Sequence, residues 1–131
     1  MQIPSFANNS LIKKNQPQKL LVLLSNFNKE LNEKYLLELV NDLRSFIKNF
    51  FKDGYVDISF KFHPREDELL VKEMFLRFIE IFDQHNVYLI TLKTQVNVIG
   101  DQFLYIVSNR TSAAIDLVKN GHLGKVYCLI N

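Results

Sequence analysis

The stretch VDISFKFHPR, residues 56–65, decides the fold of this chain because it joins the pattern of a buried strand to the start of a helix. In an open α/β sheet, ligands bind just beyond the carboxyl ends of the strands, which is where His63 falls. A residue before a proline is pushed out of the helical region, so Pro64 should hold His63 extended. The stretch therefore predicts a strand that is followed by a histidine whose backbone is restrained, so that its imidazole has a defined direction at the ligand-binding edge. The alternative is that Pro64 only starts a helix and His63 only ends a strand.

Strand and helix patterns alternate on both sides of this stretch. Short apolar runs predict strands over residues 19–24, 56–62, 87–90, 103–107 and 125–130. Apolar residues at three- and four-residue steps predict helices over 29–51 and 69–82, and 113–120 predicts one or two further helical turns. This alternation indicates an α/β fold with right-handed crossovers: a Rossmann-like, doubly wound, mostly parallel sheet of about five strands.

The domain organisation follows from length and local composition. A chain of 131 residues with 47% hydrophobic residues is expected to form one domain with its own core. Residues 1–18 are polar, contain two prolines and lack sustained periodicity, so we predict a leader or linker there and the Rossmann-like domain over 19–131. The last predicted strand lacks the helix that would normally cover it. We therefore expect the chain to be part of something larger.

Charge and cysteine content limit the partners and the compartment. Sixteen basic and fourteen acidic residues are scattered along the chain and leave a formal charge of +2, which does not indicate a nucleic-acid binder. Cys128 is the only cysteine, so no intrachain disulfide is possible and a reducing compartment fits. No run approaches the ~20 apolar residues of a membrane helix, and no secretion signal is visible. We expect a cytoplasmic protein without a transmembrane segment; peripheral contact with the inner membrane stays open.

A second polar segment, residues 108–112, follows the predicted strand over 103–107. Thr111 and Ser112 open the helical turns after it, so hydroxyls, backbone N–H groups and the positive end of the helix dipole can face a phosphate. Ordinary helix capping is the alternative for this pair. Ser25, after the first strand, is a further candidate for lining the same cleft, or else a simple polar turn.

The helix start after Pro64 predicts different chemistry. Glu66, Asp67 and Glu68 occupy its opening turn and use the dipole themselves, so a phosphate would be repelled there. His63 must then act through its side chain, while Arg65 either reaches a ligand or pairs with one of these acids. The three histidines of the chain are not at metal-ligand spacing, and the sequence predicts no metal site, no glycine-rich phosphate loop and no nucleophile elbow.

Together the two polar segments carry a family resemblance. A strand that ends in His-Pro, followed about 45 residues later by a Thr-Ser helix start, resembles the C-terminal donor-binding half of GT-B glycosyltransferases. Residues 61–66, KFHPRE, are most similar to the His-Pro motif of bacterial sialyltransferases of the lipooligosaccharide and polysialic acid (capsule) types. Thr111 and Ser112 match the position of the paired serines of that family, with a threonine in place of the first serine.

The resemblance implies a nucleotide-sugar-binding domain that transfers a sugar from a CMP-activated donor, CMP-sialic acid, to a surface glycan acceptor without a metal. His63 would be the catalytic residue. The candidate donor-binding residues are His63, Pro64, Ser108, Thr111, Ser112 and Ser25. Another donor, such as a CDP-polyol or a different nucleotide sugar, is the first alternative; a non-catalytic Rossmann-like interaction module is the second.

The general base of that family lies in an acidic-acidic-Gly motif of the other half. The nearest look-alike here is Lys52-Asp53-Gly54, in which Asp53 is interpreted as a turn residue. The chain is therefore expected to be a glycosyltransferase fragment that lacks its general base and most of the acceptor site. A missing N-terminal half or a partner chain would supply them.

Overall fold

The structure is a computed structural model that describes residues 18–24, 33–51, 55–91, 94, 102–109, 119, 121 and 126–128. The described elements, in chain order, are β1 (Gln18–Leu24), α1 (Glu33–Phe50), β2 (Val56–Phe62), α2 (Glu68–Ile81), β3 (Val87–Leu89), β4 (Tyr105–Asn109) and β5 (Val126–Cys128). Of the helical turns predicted over 113–120, only Lys119 lies within the described residues.

The five strands form one parallel sheet in the order β3-β2-β1-β4-β5. The chain moves outward from β1 through β2 to β3, and then returns to place β4 on the other side of β1. The direction of winding therefore reverses at β1, which is the topological switch point of a doubly wound sheet. This order confirms the predicted α/β, Rossmann-like fold.

Strand β1 is central because it is apolar on both faces, as a parallel strand covered on both sides must be. Residues 20–24 are all almost fully buried. The even-numbered members belong to the larger core, together with residues of α1 and α2. Leu21 and Leu23 face the other way and pack with Phe103 and Ile106 in a smaller core.

Strand β2 is buried on both faces, but the two faces differ in chemistry. Its apolar residues are Val56, Ile58, Phe60 and Phe62, and they belong to the larger core. Its polar residues are Asp57, Ser59 and Lys61, which are also buried. Phe60 stacks on Phe78 of α2 with the ring centroids 4.2 Å apart. This packing fixes the helix that leaves the His-Pro turn against the strand that enters it.

The bounds of β4 correct the sequence prediction. The apolar run over 103–107 predicts a strand that ends before Ser108, whereas the ladder runs from Tyr105 to Asn109. Ser108 lies inside the strand, opposite Leu23 of β1 and Cys128 of β5, and is 1% exposed. The difference arises because apolar residues mark burial rather than pairing: Phe103 is buried in the smaller core but precedes the ladder.

Neither of the two long helices in the described part of the chain has the apolar length needed to cross a membrane.

Candidate functional site

The carboxyl ends of β2, β1 and β4 lie side by side at one edge of the sheet. Leu24, the last residue of β1, is level with Phe62 of β2 and with Asn109 of β4. Adjacent strands are about 4.8 Å apart, so the ends of β2 and β4 are separated by about 10 Å with β1 between them. The carboxyl ends of these two strands therefore flank the switch point, where ligands bind in doubly wound sheets.

The backbone of His63 continues the β2 ladder by one residue. Its N–H donates a hydrogen bond of 2.9 Å to the carbonyl of Leu24 in β1. The predicted restraint on His63 is thus present, and it comes from pairing with the central strand as well as from Pro64. The side chain of His63 is half-buried, so part of it is accessible to solvent.

The His63 ring is oriented by a second backbone group. The N–H of Arg65 lies 3.1 Å from Nδ1. Because a backbone N–H can only donate, Nδ1 must accept, and the proton of the neutral imidazole is assigned to Nε2. The ring therefore presents an N–H donor at the atom farthest from the backbone. This is the tautomer that can donate to a phosphate oxygen.

Residues 63–66 form a tight turn that links β2 to α2. The N–H of Glu66 donates to the carbonyl of His63 at 2.9 Å, while Pro64 and Arg65 are exposed in the middle. Pro64 stands at the second position of this turn, where its fixed φ is favourable. No ion pair joins Arg65 to the acids after it in the part of the chain that the structure describes.

The start of α2 is satisfied by its own acids, as the sequence predicts. Asp67 is the N-cap, and its carboxylate accepts a hydrogen bond of 3.3 Å from the N–H of Leu69. Glu68 adds a further negative charge in the first turn. An anionic ligand at this edge therefore meets the His63 side chain and not the end of α2.

Lys61 is a polar residue of this edge that the sequence reasoning did not single out. It is 3% exposed, its Nζ donates to the carbonyl of Phe62 at 3.3 Å, and burial lowers the pKa of its ammonium group. Side chains alternate along an extended chain, so Lys61 and His63 lie on the same face. The signal was present in the sequence, as a lysine one residue from the end of an otherwise buried strand.

Glu66 is the second residue that sequence reasoning missed. Its side chain is 8% exposed, and its buried Oε2 has no hydrogen-bond partner among the residues that the structure describes. Nothing in the run of three acids distinguishes the first from the others. Only the path of the turn decides which of them is buried.

The opposite edge of the sheet holds another histidine. His85 lies in the turn after α2, where its N–H donates to the carbonyl of Phe82, and its Nδ1 is 3.1 Å from the carbonyl of Val56. A shallow cavity of about 290 Å³ lies beside it, but at the amino ends of the strands and away from His63.

Three candidate residues, Ser25, Thr111 and Ser112, fall outside the described part of the chain, and so does Asp53, the predicted turn residue. Among the described residues, the structure brings His63 and Pro64 to the carboxyl edge and places Ser108 in the buried row that also contains Lys61 and Leu23. The described residues contain no group of three or more His, Cys, Asp or Glu side chains that could hold a metal ion.

Comparison of the chain with protein-family models, with curated proteins and with solved structures gives no match.

Proposed function

We propose that this chain is the nucleotide-sugar-binding half of a GT-B, sialyltransferase-like glycosyltransferase that acts in the cytoplasm on a CMP-activated donor and a surface glycan acceptor. The observation that carries the proposal is the His63 imidazole, which is held at the carboxyl edge with Nε2–H as its donor. Its position beside the switch point is where a doubly wound sheet binds nucleotides.

The chemistry of sugar transfer suits a donor of this kind. As the glycosidic bond of a CMP-sugar breaks, negative charge grows on the leaving phosphate. A hydrogen-bond donor that is already oriented stabilises this charge without the cost of reorganisation in the transition state. His63 is oriented by two backbone hydrogen bonds before any ligand arrives. Thr111 and Ser112 are proposed to complete the phosphate site, and a partner half is proposed to supply the general base.

Calorimetry with CMP tests the proposal on the chain as it exists, because all the proposed phosphate contacts belong to this chain. We expect His63→Ala to weaken CMP binding by about 1.5–3 kcal/mol, the usual contribution of a hydrogen bond to a charged group. A similar loss is expected for the double substitution Thr111→Ala and Ser112→Ala. His85→Ala is the matched control, since that histidine lies at the other edge of the sheet.

Three results decide the outcome. A folded wild-type chain that binds no nucleotide would overturn the proposal and favour a Rossmann-like interaction module. CMP binding that His63→Ala leaves unchanged would overturn the role of His63. In a competition panel, stronger binding of uridine or guanosine nucleotides than of CMP would exclude a CMP-activated donor. It would favour a glycosyltransferase that uses another nucleotide sugar.

A further inference from the structure

Strand β3 leaves one side of its backbone open at the end of the described sheet. The strand order puts β3 at that end, where it pairs with β2 alone. The carbonyl of Asn86 and the N–H of Ile90 both bond to β2 at 2.9 Å. Every second residue of a strand points its backbone groups toward the same neighbour, so the N–H and C=O groups of Val87 and Leu89 point away from β2. No hydrogen bond joins these groups to another residue in the described part of the chain.

The sequence around this edge does not protect it from pairing. Exposed edge strands are usually kept apart by charged side chains, prolines or bulges. Residues 84–91 contain no charged residue, no proline and no glycine. Tyr88 is 49% exposed and Ile79 of α2 is 41% exposed, and both line the cavity of about 290 Å³ that opens beside the strand. The edge therefore combines unpaired backbone groups with an uncharged, partly apolar surface, which suits it to pairing with another strand.

The β3 edge of a second copy of this chain is complementary to this edge. If two such strands run antiparallel about a two-fold axis at Tyr88, Val87 of each copy lies opposite Leu89 of the other. Opposite residues whose backbone groups point toward each other exchange two hydrogen bonds, so this register satisfies all the outward groups of both residues. An axis at Val87 or at Leu89 would set the other residue against His85 or Thr91, which already use a backbone group in local turns. The axis at Tyr88 therefore gives the best-paired register.

The side chains agree with the same axis. Tyr88 would lie opposite Tyr88 of the second copy as a pair without mutual backbone hydrogen bonds, and such pairs have Cα atoms about 4.5 Å apart. Aromatic pairs across antiparallel strands stabilise the ladder, whereas like charges directly opposite destabilise it. A two-fold axis brings each residue at its centre against itself, so a charge there would be repelled by its own copy. The uncharged stretch 84–91 avoids this repulsion.

We infer that two copies of this chain associate by antiparallel pairing of their β3 edges, which joins the two five-stranded sheets into one continuous sheet. The inference does not depend on the proposed function. The carboxyl edges of the two sheets then open in opposite directions, so each copy keeps its own His63 site. Interfaces that bury less than about 1,200 Å² are typically weak, and this strand contact is short, so we expect a dissociation constant on the order of micromolar.

Sedimentation equilibrium over a range of concentrations measures the association. Tyr88→Lys sets two ammonium groups against each other at the axis and should raise the dissociation constant about tenfold or more. Leu37→Lys is the matched control, because it adds the same charge at a position of α1 that is 59% exposed, and it should leave the constant unchanged. A wild-type chain that stays monomeric at high micromolar concentration would overturn the inference and leave the edge to a different protein. Equal effects of the two substitutions would also overturn it.

Oxidative cross-linking tests the register without an added charge. In a Cys128→Ala background, Tyr88→Cys should form a disulfide-linked dimer, because a Cα separation of about 4.5 Å lies within the range that disulfides span. Asn86→Cys changes an exposed residue on the same face and should not cross-link, because the two copies of residue 86 would lie four positions apart, about 14 Å. Equal cross-linking of the two variants would overturn the pairing about Tyr88.

Amide hydrogen exchange distinguishes self-association from coverage of the edge by another part of the same chain. The amides of Val87 and Leu89 should become more protected as the wild-type concentration rises, because they donate hydrogen bonds only in the dimer. In Tyr88→Lys their exchange should be fast at the same concentrations. Strong protection of both amides in a dilute, monomeric sample would show that the chain pairs with its own edge and would overturn the inference.

Discussion

A histidine lies at each end of β2, His63 directly after the strand and His85 in the turn that contacts Val56, and the two rings make opposite hydrogen bonds. At the carboxyl end, Nδ1 of His63 accepts from the N–H of Arg65, so the ring proton is on Nε2. At the amino end, Nδ1 of His85 faces the carbonyl of Val56, and a carbonyl can only accept, so the ring proton is on Nδ1. The Nε2–H of His63 is therefore not used by the Arg65 hydrogen bond, whereas the Nδ1–H of His85 is donated to the carbonyl of Val56.

The polar side chains next to the two histidines also differ in whether they have partners within the protein. Beside His85, the amide of Asn86 donates to the carboxylate of Asp57 at 3.2 Å, so a polar side chain of β2 is paired within the protein. Beside His63, the carboxylate of Glu66 is buried, and its Oε2 has no partner in the described part of the chain. The comparison teaches that one strand separates paired polar groups at its amino end from the proposed binding group, His63, at its carboxyl end.

The largest expected effect is a loss of stability when a core side chain of β2, the strand between the two histidines, is truncated. Phe60 is fully buried in the middle of β2 and stacks on Phe78, so Phe60→Ala should lower the free energy of unfolding by about 3–5 kcal/mol. Urea denaturation measures this loss. Leu76→Ala, at a position of α2 that is 61% exposed, is the control and should change stability by less than about 0.5 kcal/mol. Equal losses for the two variants would contradict the packing described for β2.

Amide substitutions of the two histidines sharpen the comparison itself. The asparagine amide occupies roughly the position of Nδ1, and the glutamine amide that of Nε2. His63→Gln should therefore keep more CMP affinity than His63→Asn, which should lose about 1.5–3 kcal/mol of binding free energy. Calorimetry with CMP measures the difference.

At His85 the asparagine variant should retain more of the wild-type property than the glutamine variant, and that property is stability and not CMP binding. His85→Asn can still donate to the carbonyl of Val56, whereas His85→Gln should lose about 0.5–1.5 kcal/mol of unfolding free energy. If the same amide, asparagine or glutamine, were the better replacement at both sites, the two histidines would not have opposite tautomers.

The smallest expected effect is a pH dependence from Lys61. Burial lowers its pKa below the ordinary value of 10.5, so between the lowered pKa and 10.5 the unfolded chain binds more protons than the folded protein. The contribution of Lys61 to stability therefore rises as the pH rises through that window. The unfolding free energy of wild type relative to Lys61→Met should increase between neutral pH and pH 10, as measured by urea denaturation.

Lys72→Met is the matched control for that measurement, because it removes a lysine at an exposed position of α2. A pH dependence as large for Lys72→Met as for Lys61→Met would show that the effect does not come from burial of Lys61. A constant difference for Lys61→Met would show that Lys61 is not desolvated in the folded protein.

Much of the fold could be predicted because hydrophobic periodicity depends on near neighbours in the chain. The apolar run at 19–24 and the spaced apolar residues of α2 correspond closely to the observed elements. The strand at 103–107 was placed two residues early, because its apolar pattern reports burial of Phe103 and not the ladder that includes Ser108. His63 could be singled out since a proline after a buried strand leaves a local signal.

By itself, the sequence determined the alternation of strands and helices, the strand end at His63, and the acidic start of α2 that Asp67 caps. Only the tertiary structure decided which nitrogen of His63 carries the proton, and that Lys61 and Glu66 are buried. The physical reason is that secondary structure follows from neighbouring residues, whereas the partners and burial of a single polar atom depend on where the fold places residues that are distant in the chain.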